Sequence, residues 1–274
     1  MTTEFVSFDR PPVVEVALAV HFEPLAKLNV ALVGAFWTNV REDYPLADQR
    51  ARIDPFVEIE DNTLQTQVYR INVGGAVEPL PCSVFFSEDR TRVVQVQADM
   101  FVHNWRRSGE LPYPRYSEVR AGFVDNLRRF LDFLQREHVG PWAPVQAEVT
   151  YVNHVEPSET WARHGQLDRI LAPWSGAYSN DFLTEPEDVA LHVRHPFRDE
   201  ETGAFLGRLH VDVKPVRRMP GGEPVYAIAL TARGGLDGDG IDSVMSALDN
   251  QRKQVVLGFK SITSQAARTE WGEH

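Results

Sequence analysis

The sequence predicts an α+β protein in which antiparallel sheets are backed by three main helices, in an order compatible with two similar lobes. Three observations predict it. Short alternating or β-branched runs follow one another across polar turns, as hairpins do. Three longer stretches carry apolar residues at helical spacing. The two kinds of element come in mixed order, without the regular strand–helix alternation of a doubly wound parallel sheet.

The first strand is Val13 to Phe22, β-branched and long enough to be largely buried, and it follows Pro11-Pro12, which suit the start of a strand. After Pro24 the period changes, and Leu28, Leu32, Ala35, Phe36, Val40 and Tyr44 share one helical stripe that Pro45 ends. Between 46 and 80 only Val68 to Val73 reads as a strand, with Gly74-Gly75 as a turn and Pro79 and Pro81 flanking a connection. A hairpin pairs Ser83–Phe86 with Thr91–Met100 through Ser87-Glu88-Asp89-Arg90; Val94, Val96, Ala98 and Met100 alternate with Gln95, Gln97 and Asp99. A second helix, capped by Ser117, buries Val119, Phe123, Leu127, Phe130 or Leu131, and Leu134, and stops at Gly140-Pro141. Gln146 to Val155 forms the next strand. Residues 156–186, with Trp161, Trp174 and a short helical run at Leu167–Leu171, read as a seam between halves. Three strands follow, Val189–Arg194, Phe205–Pro215 and Val225–Arg233, with turns at 199–203 and 220–224. A last helix opens near Asp239 or Asp242 and buries Ile241, Val244, Leu248, Val255, Phe259 and Ile262. Residues 1–160 are thus expected as an N-terminal α+β lobe and 161–274 as a β-meander plus long helix, packed together as one compact unit.

Composition narrows function by exclusion. With 28 Lys plus Arg against 39 Asp plus Glu, the net charge of −11 argues against broad coating of nucleic acid or an anionic membrane. The single cysteine, Cys82, leaves no intramolecular disulfide or multi-cysteine zinc site, and its place beside Pro81 at a strand start suits a buried thiol better than a nucleophile. The amino terminus lacks the basic start and apolar core of a secretory signal, and no apolar run approaches the ~20 residues of a membrane helix. A cytoplasmic protein is expected.

Several polar constellations stand out. His103-Asn104-Trp105-Arg106-Arg107, placed between hairpin and helix, offers a ring to stack and cations for phosphate, or alternatively a corner plug with surface ion pairs. Glu148, Thr150 and His154 share one face of a strand and Tyr151 and Asn153 the other. Glu148 and His154 lie six residues apart, roughly 20 Å, so any acid–base pair needs a neighbour such as Gln97 or Asp99. His192 and Arg194 alternate with apolar residues, as do Arg208, His210, Asp212 and Lys214, so neighbouring strands would gather basic groups on one face, for an anion or simply for solvent. His210-Val211-Asp212 starts a 2-His-1-carboxylate pattern without its third ligand, and His192 and His195 point to opposite faces. The loop 234–240 has Asp237 and Asp239 where a phosphate loop needs none and lacks a calcium loop's twelfth-position glutamate. No cofactor or metal is expected.

Several segments together resemble an uncharacterised bacterial family noted for its sporadic distribution among genomes. They are Phe8-Asp9-Arg10-Pro11-Pro12-Val13-Val14-Glu15-Val16, Phe36-Trp37 with Tyr44-Pro45, Val94-Gln95-Val96-Gln97, Phe101 to Arg106, Glu148 to His154, and Phe259 followed by Thr263 and Trp271. The resemblance spans nearly the whole chain. It implies no particular activity or catalytic residue, and the patchy distribution suggests an accessory role on mobile or defence-related islands.

The leading functional expectation is therefore a non-catalytic binding or accessory protein that recognises another protein, with self-association through a sheet edge or helix as an option. The alternative is a binder of a small anionic ligand, or a hydrolytic enzyme, using the cleft between lobes with His154, Arg208 or His210. Nucleic-acid binding through Trp105, Arg106 and Arg107 is the weaker third. The candidate residues are His103, Asn104, Trp105, Arg106, Arg107, Tyr151, Asn153, His154, His192, Arg194, Arg208 and His210.

Overall fold

A computed structural model of the chain describes residues 7–54, 56–60, 80–109 and 111–274. The expected strand at 68–73, its Gly74-Gly75 turn and Pro79 lie outside the described residues. In chain order the elements are β1 (Val13–Phe22), α1 (Val30–Val40), β2 (Leu46–Arg50), β3 (Cys82–Phe86), β4 (Arg92–Gln97), β5 (Met100–Arg106), α2 (Tyr116–Arg136) and β6 (Pro144–Val155). A 3₁₀ turn at His164–Arg169 precedes β7 (Leu191–Arg198), β8 (Phe205–Arg218), β9 (Glu223–Gly235), α3 (Ile241–Ile262) and α4 (Gln265–Glu270).

Among the described residues all nine strands form one antiparallel sheet in the order β2-β3-β4-β5-β1-β6-β9-β8-β7, so the α+β class holds. Two meanders, β2 to β5 and β7 to β9, flank the central pair β1 and β6. The halves are continuous because β6 pairs with β9 from Gln146↔Gly235 to Val155↔Tyr226.

Strand alternation gives the sheet two unlike faces. Val16, Leu18 and Val20 of β1, Phe101 and Trp105 of β5, Val149 of β6, Leu230 of β9 and Val211 of β8 join the main core with Phe123, Leu127 and Phe130 of α2 and Val244, Leu248 and Val255 of α3. The opposite face carries Ala17, Ala19, Met100 and Val102 at its centre and the polar series of β6, β8 and β9 beyond. Residues 50–54, from the end of β2, and 56–60 lie against this second face. Gln97 Nε2 donates to the Ile53 carbonyl at 2.9 Å, Arg52 pairs with Asp99, and Gln146 Nε2 donates to the Phe56 carbonyl at 2.8 Å.

Three local expectations are corrected. The run Thr91–Met100 is two strands, because Ala98-Asp99 reverses the chain and Met100 opens β5, on the face opposite Val94 and Val96. Ala98 is not a turn former although Asp99 can be, and buried Asp99 is held in place by Arg52 and Gln97, a tertiary support invisible locally. Consequently 103–106 lie in a strand, not in a connecting loop. The stripe of α1 is Val33, Phe36 and Val40, with Ala35 exposed and Asn29 as the cap, its Oδ1 accepting from Leu32 N at 3.1 Å. Ser117 lies inside α2 and caps nothing; Arg115 precedes the helix at φ 76°, ψ 158°. The first part of the expected seam packs against the fold: Trp161 is buried with its ring 5.3 Å from that of Tyr226, and Ala172 N donates to the Ile262 carbonyl at 2.9 Å.

Candidate functional site

The connection from β5 to α2 contains Leu111-Pro112-Tyr113-Pro114-Arg115, whose prolines restrict the backbone around Tyr113. Arg115 occupies a region of φ/ψ that is almost a glycine preserve, at a cost on the order of 1–3 kcal/mol. Such strain persists only where surrounding structure holds it, and here the Arg115 guanidinium reaches the Phe8 carbonyl at 3.5 Å. Three hollows meet at this turn.

The first is an apolar cavity of about 230 Å³ between the start of the chain, β6 and α3, with Phe8, Val13, Val255 and Phe259 among its walls. Tyr113 and Tyr151 share a hydrogen bond between hydroxyls at 3.2 Å, and Tyr116 donates to Asp249 Oδ1 at 2.9 Å. Burial pushes all three phenol pKa values up, so the hydroxyls stay protonated. Asn153 also faces this cavity, and its Nδ2 donates to the Ile228 carbonyl at 3.2 Å.

The second is a polar groove of about 540 Å³ that shares Pro11, Pro12, Tyr113 and Arg115 with the first. It holds Arg10, Arg107, Arg115 and His154. Each of these arginines bonds to backbone carbonyl oxygen. Arg10 donates to the Glu270 carbonyl at 2.8 Å and Arg107 to that of Val13 at 2.8 Å. Two of the groove's three carboxylates are engaged elsewhere, Glu156 with Arg218 and Glu270 Oε2 with the Ser158 and Thr160 hydroxyls at 2.8 Å, while the third, Asp9, is exposed and lies 3.8 Å from His274 Nδ1. His154 has its pKa lowered by partial burial and by the charges of Arg218 and Arg107, against the pull of Glu156.

The third is a pocket of about 510 Å³ on the other side of Tyr113, between β4, β5 and α2, and it contains His103 and Trp105. The Trp105 and Tyr113 rings lie 5.1 Å apart and form the partition.

The five-residue run 103–107 is therefore split. His103 and Trp105 face the helices; Asn104 and Arg106 face the opposite side of the sheet, where Asn104 Nδ2 donates to Glu15 Oε1 at 2.6 Å and Arg106 Nε to the Arg90 carbonyl at 2.8 Å. No single surface unites Trp105 with Arg106.

The second-half basic residues do share one face, through the register His192↔Asp212, Arg194↔His210 and Arg208↔Arg233. They are occupied by the chain itself. Glu58, 1% exposed, accepts from Arg208 at 2.9 Å and lies 2.5 Å from His210 Nε2, while Arg208 also donates to the Ile59 and Glu60 carbonyls at 2.7 Å. His192 Nδ1 lies 2.8 Å from Asp212 Oδ1. Burial alone would raise the Glu58 pKa, yet His210 and Arg208 hold it below the usual carboxylate range. Arg208 and His210 thus lie under residues 56–60 rather than in a cleft between lobes.

Glu148 is completed by neighbours other than the expected Gln97 or Asp99. Arg233 of β9 bonds it, and His21 Nε2 of β1 lies 3.6 Å away. Burial opposes its ionisation, but His21 and Arg233 prevail and keep its pKa at about 2. Cys82 is buried, with its pKa raised to about 11 by desolvation. Among the described residues there is no cluster of three metal-ligating side chains, and no helix is long and apolar enough to cross a membrane.

Sequence reasoning missed Glu58, His21, Arg233, Tyr113, Arg115 and Asn126. Two signals were available: the Pro-Tyr-Pro turn, and Asn126 on the buried stripe with Phe123, Leu127 and Phe130, a polar residue at an apolar position. The chain matches no known protein-family model and no curated protein.

Proposed function

We propose that the protein binds a small anionic amphiphile, whose apolar body enters the cavity under Tyr113 and whose acidic head meets Arg10, Arg107 and Arg115. One observation carries this reading. Three guanidinium groups are tethered by neutral carbonyls, and so outnumber the one lining carboxylate, Asp9, that is not held by a closer partner, directly beside an apolar cavity. Carbonyl tethers orient a cation without cancelling its charge, so an arriving carboxylate or phosphate gains charge-assisted hydrogen bonds. A cavity of 150 Å³ lined by apolar residues accommodates benzene, so about 230 Å³ suits a body somewhat larger than one ring.

Calorimetric titration with aromatic and short alkyl carboxylates and phosphates, each beside its neutral amide or alcohol, tests the reading. The anions are expected to bind and the neutral counterparts to bind at least about tenfold more weakly, with Arg107→Ala and Arg115→Gln each costing on the order of tenfold. Equal affinity for charged and neutral members, or no binding across the series, would contradict it.

A protein partner is the second reading, favoured by Phe182 and Leu183, adjacent on a surface loop and 88% and 59% exposed. Replacing both with serine distinguishes the two, because it leaves the anion site untouched and removes the apolar patch.

A further inference from the structure

We propose, resting on the anion-site reading of the cavity and groove, that their occupant is the Asp181-Phe182 tip of a second copy of this chain. The Phe182 ring fills the cavity under Tyr113, and the Asp181 carboxylate meets Arg10, Arg107 and Arg115.

The two halves of this contact sit at separate places on one molecule. The inserted half is segment 175–190, which carries four carboxylates, Asp181, Glu185, Glu187 and Asp188, and no Lys, Arg or His. Phe182 stands in its turn, where its backbone N–H donates to Asn180 Oδ1 at 3.0 Å. At 88% exposure it is the most exposed large apolar side chain among the described residues, so the ring is not seated in its own molecule's cavity. Glu185 is taken up by Arg163 at 2.7 Å. Asp181, next to the ring, has no side-chain hydrogen bond or ion pair among the described residues.

The receiving half matches in size, polarity and charge. Its volume of about 230 Å³ exceeds the roughly 150 Å³ that holds benzene, and a phenylalanine side chain adds one methylene to that ring. The Tyr113 and Tyr151 hydroxyls bond each other, that of Tyr116 bonds Asp249, and Asn153 Nδ2 bonds the Ile228 carbonyl. A plain hydrocarbon ring suits such walls better than a phenol, whose hydroxyl would be buried without a partner. This places Phe182 ahead of Tyr178, which is also exposed in the segment. The three arginines keep their charge on carbonyl tethers, and Arg115 lines both cavity and groove, so a ring in the one brings an adjacent carboxylate to the other. A chain of net charge −11 repels its copies at long range, so contact between copies needs a basic groove set against an acidic tip.

Because the tip of one copy meets the groove of the next, the contact is heterologous and propagates head to tail. One ring and one carboxylate make a small, weak interface. Sedimentation velocity of the full chain from about 10 μM to about 1 mM is expected to show assembly that grows with concentration. Phe182→Ser, Asp181→Lys and the paired Arg10→Ala, Arg107→Ala are each expected to weaken it at least about tenfold. The first two change exposed side chains, so their effect reports the contact rather than unfolding. Mixing Phe182→Ser with the paired arginine variant is expected to restore association as a heterodimer that grows no further, since one intact groove then meets one intact tip. Assembly that Phe182→Ser or the arginine pair leaves unchanged, or a mixture that stays monomeric, would overturn the proposal. A wild type that stays monomeric to about 1 mM while 3-phenylpropionate binds it overturns the proposal and leaves the anion site standing. The two readings fall together only where 3-phenylpropionate fails to bind as well.

Discussion

His103 couples stability to pH with a sign set by its burial. An ordinary imidazole takes up a proton below about pH 6.5, whereas desolvation and, secondarily, Arg92 hold that of His103 to about 3. Between these values the unfolded chain binds a proton that the folded chain refuses, so stability falls as the pH falls, by about 1.4 kcal/mol per unit. Urea midpoints at pH 7 and pH 5.5 are expected to drop further in the wild type than in His103→Gln, by about 1 kcal/mol. Equal losses would show that the ring is protonated in the folded state. His154, whose pKa is also lowered, adds the same sign to both proteins and cancels in the comparison. At this scale the sequence was legible in residue type and silent on partnership. His103 and Trp105 stood out as unusual, but the residues that meet them, Gly122 against the imidazole and Tyr113 against the indole, come from the following turn and helix.

Among elements, the segment 50–60 shows where local reading ended and why. It has no apolar period, since its contacts are made by polar groups: Glu58 with Arg208 and His210, Arg52 with Asp99, and backbone atoms of Ile53 and Phe56 with glutamine side chains of β4 and β6. Periodicity reports burial of apolar surface, so a segment docked through ion pairs and amides, with Glu58 as its buried anchor, escapes it. The β4–β5 hairpin was missed for a related reason, since Ala98-Asp99 turns on the strength of the Arg52–Asp99 pair. By contrast β1, β6, α2 and α3, whose apolar faces alternate or repeat cleanly, were found within a few residues. Glu58→Ala strands two buried basic groups and is expected to cost about 3–5 kcal/mol, because removing one partner leaves the other's charge uncompensated. Adding Arg208→Met and His210→Phe to Glu58→Ala is expected to recover more than half of that loss, as apolar replacements lift the desolvation penalty. Urea unfolding of the three proteins checks this; a Glu58→Ala variant within about 0.5 kcal/mol of wild type would show that the ion pairs do not hold the segment down.

On the scale of the whole molecule, the α+β architecture followed from the hairpins and three helical stripes, while the strand order did not. Nothing local says that β1 inserts between β5 and β6, or that β9 rather than β7 meets β6, since these pairings join residues more than seventy apart along the chain. That long-range order has a thermodynamic consequence. If the halves were separable lobes, each would keep its own core and melt in its own transition. Instead β6 shares one edge with β1 and the other with β9, α3 packs on β6 as well as on β8 and β9, and Phe8 near the amino end bridges to Glu273 near the carboxyl end. Cutting the chain at 160 would strip β6 of its β9 partner along its whole length and leave Val149 and Tyr151 without the helix that covers them. Calorimetry is therefore expected to give one transition with equal calorimetric and van't Hoff enthalpies for the intact chain. The fragment 1–160 is expected to be insoluble or to associate through its open β6 edge. Two resolved transitions, or a monomeric 1–160 fragment with a cooperative melt, would show that the sheet is two units merely abutting at β6 and β9.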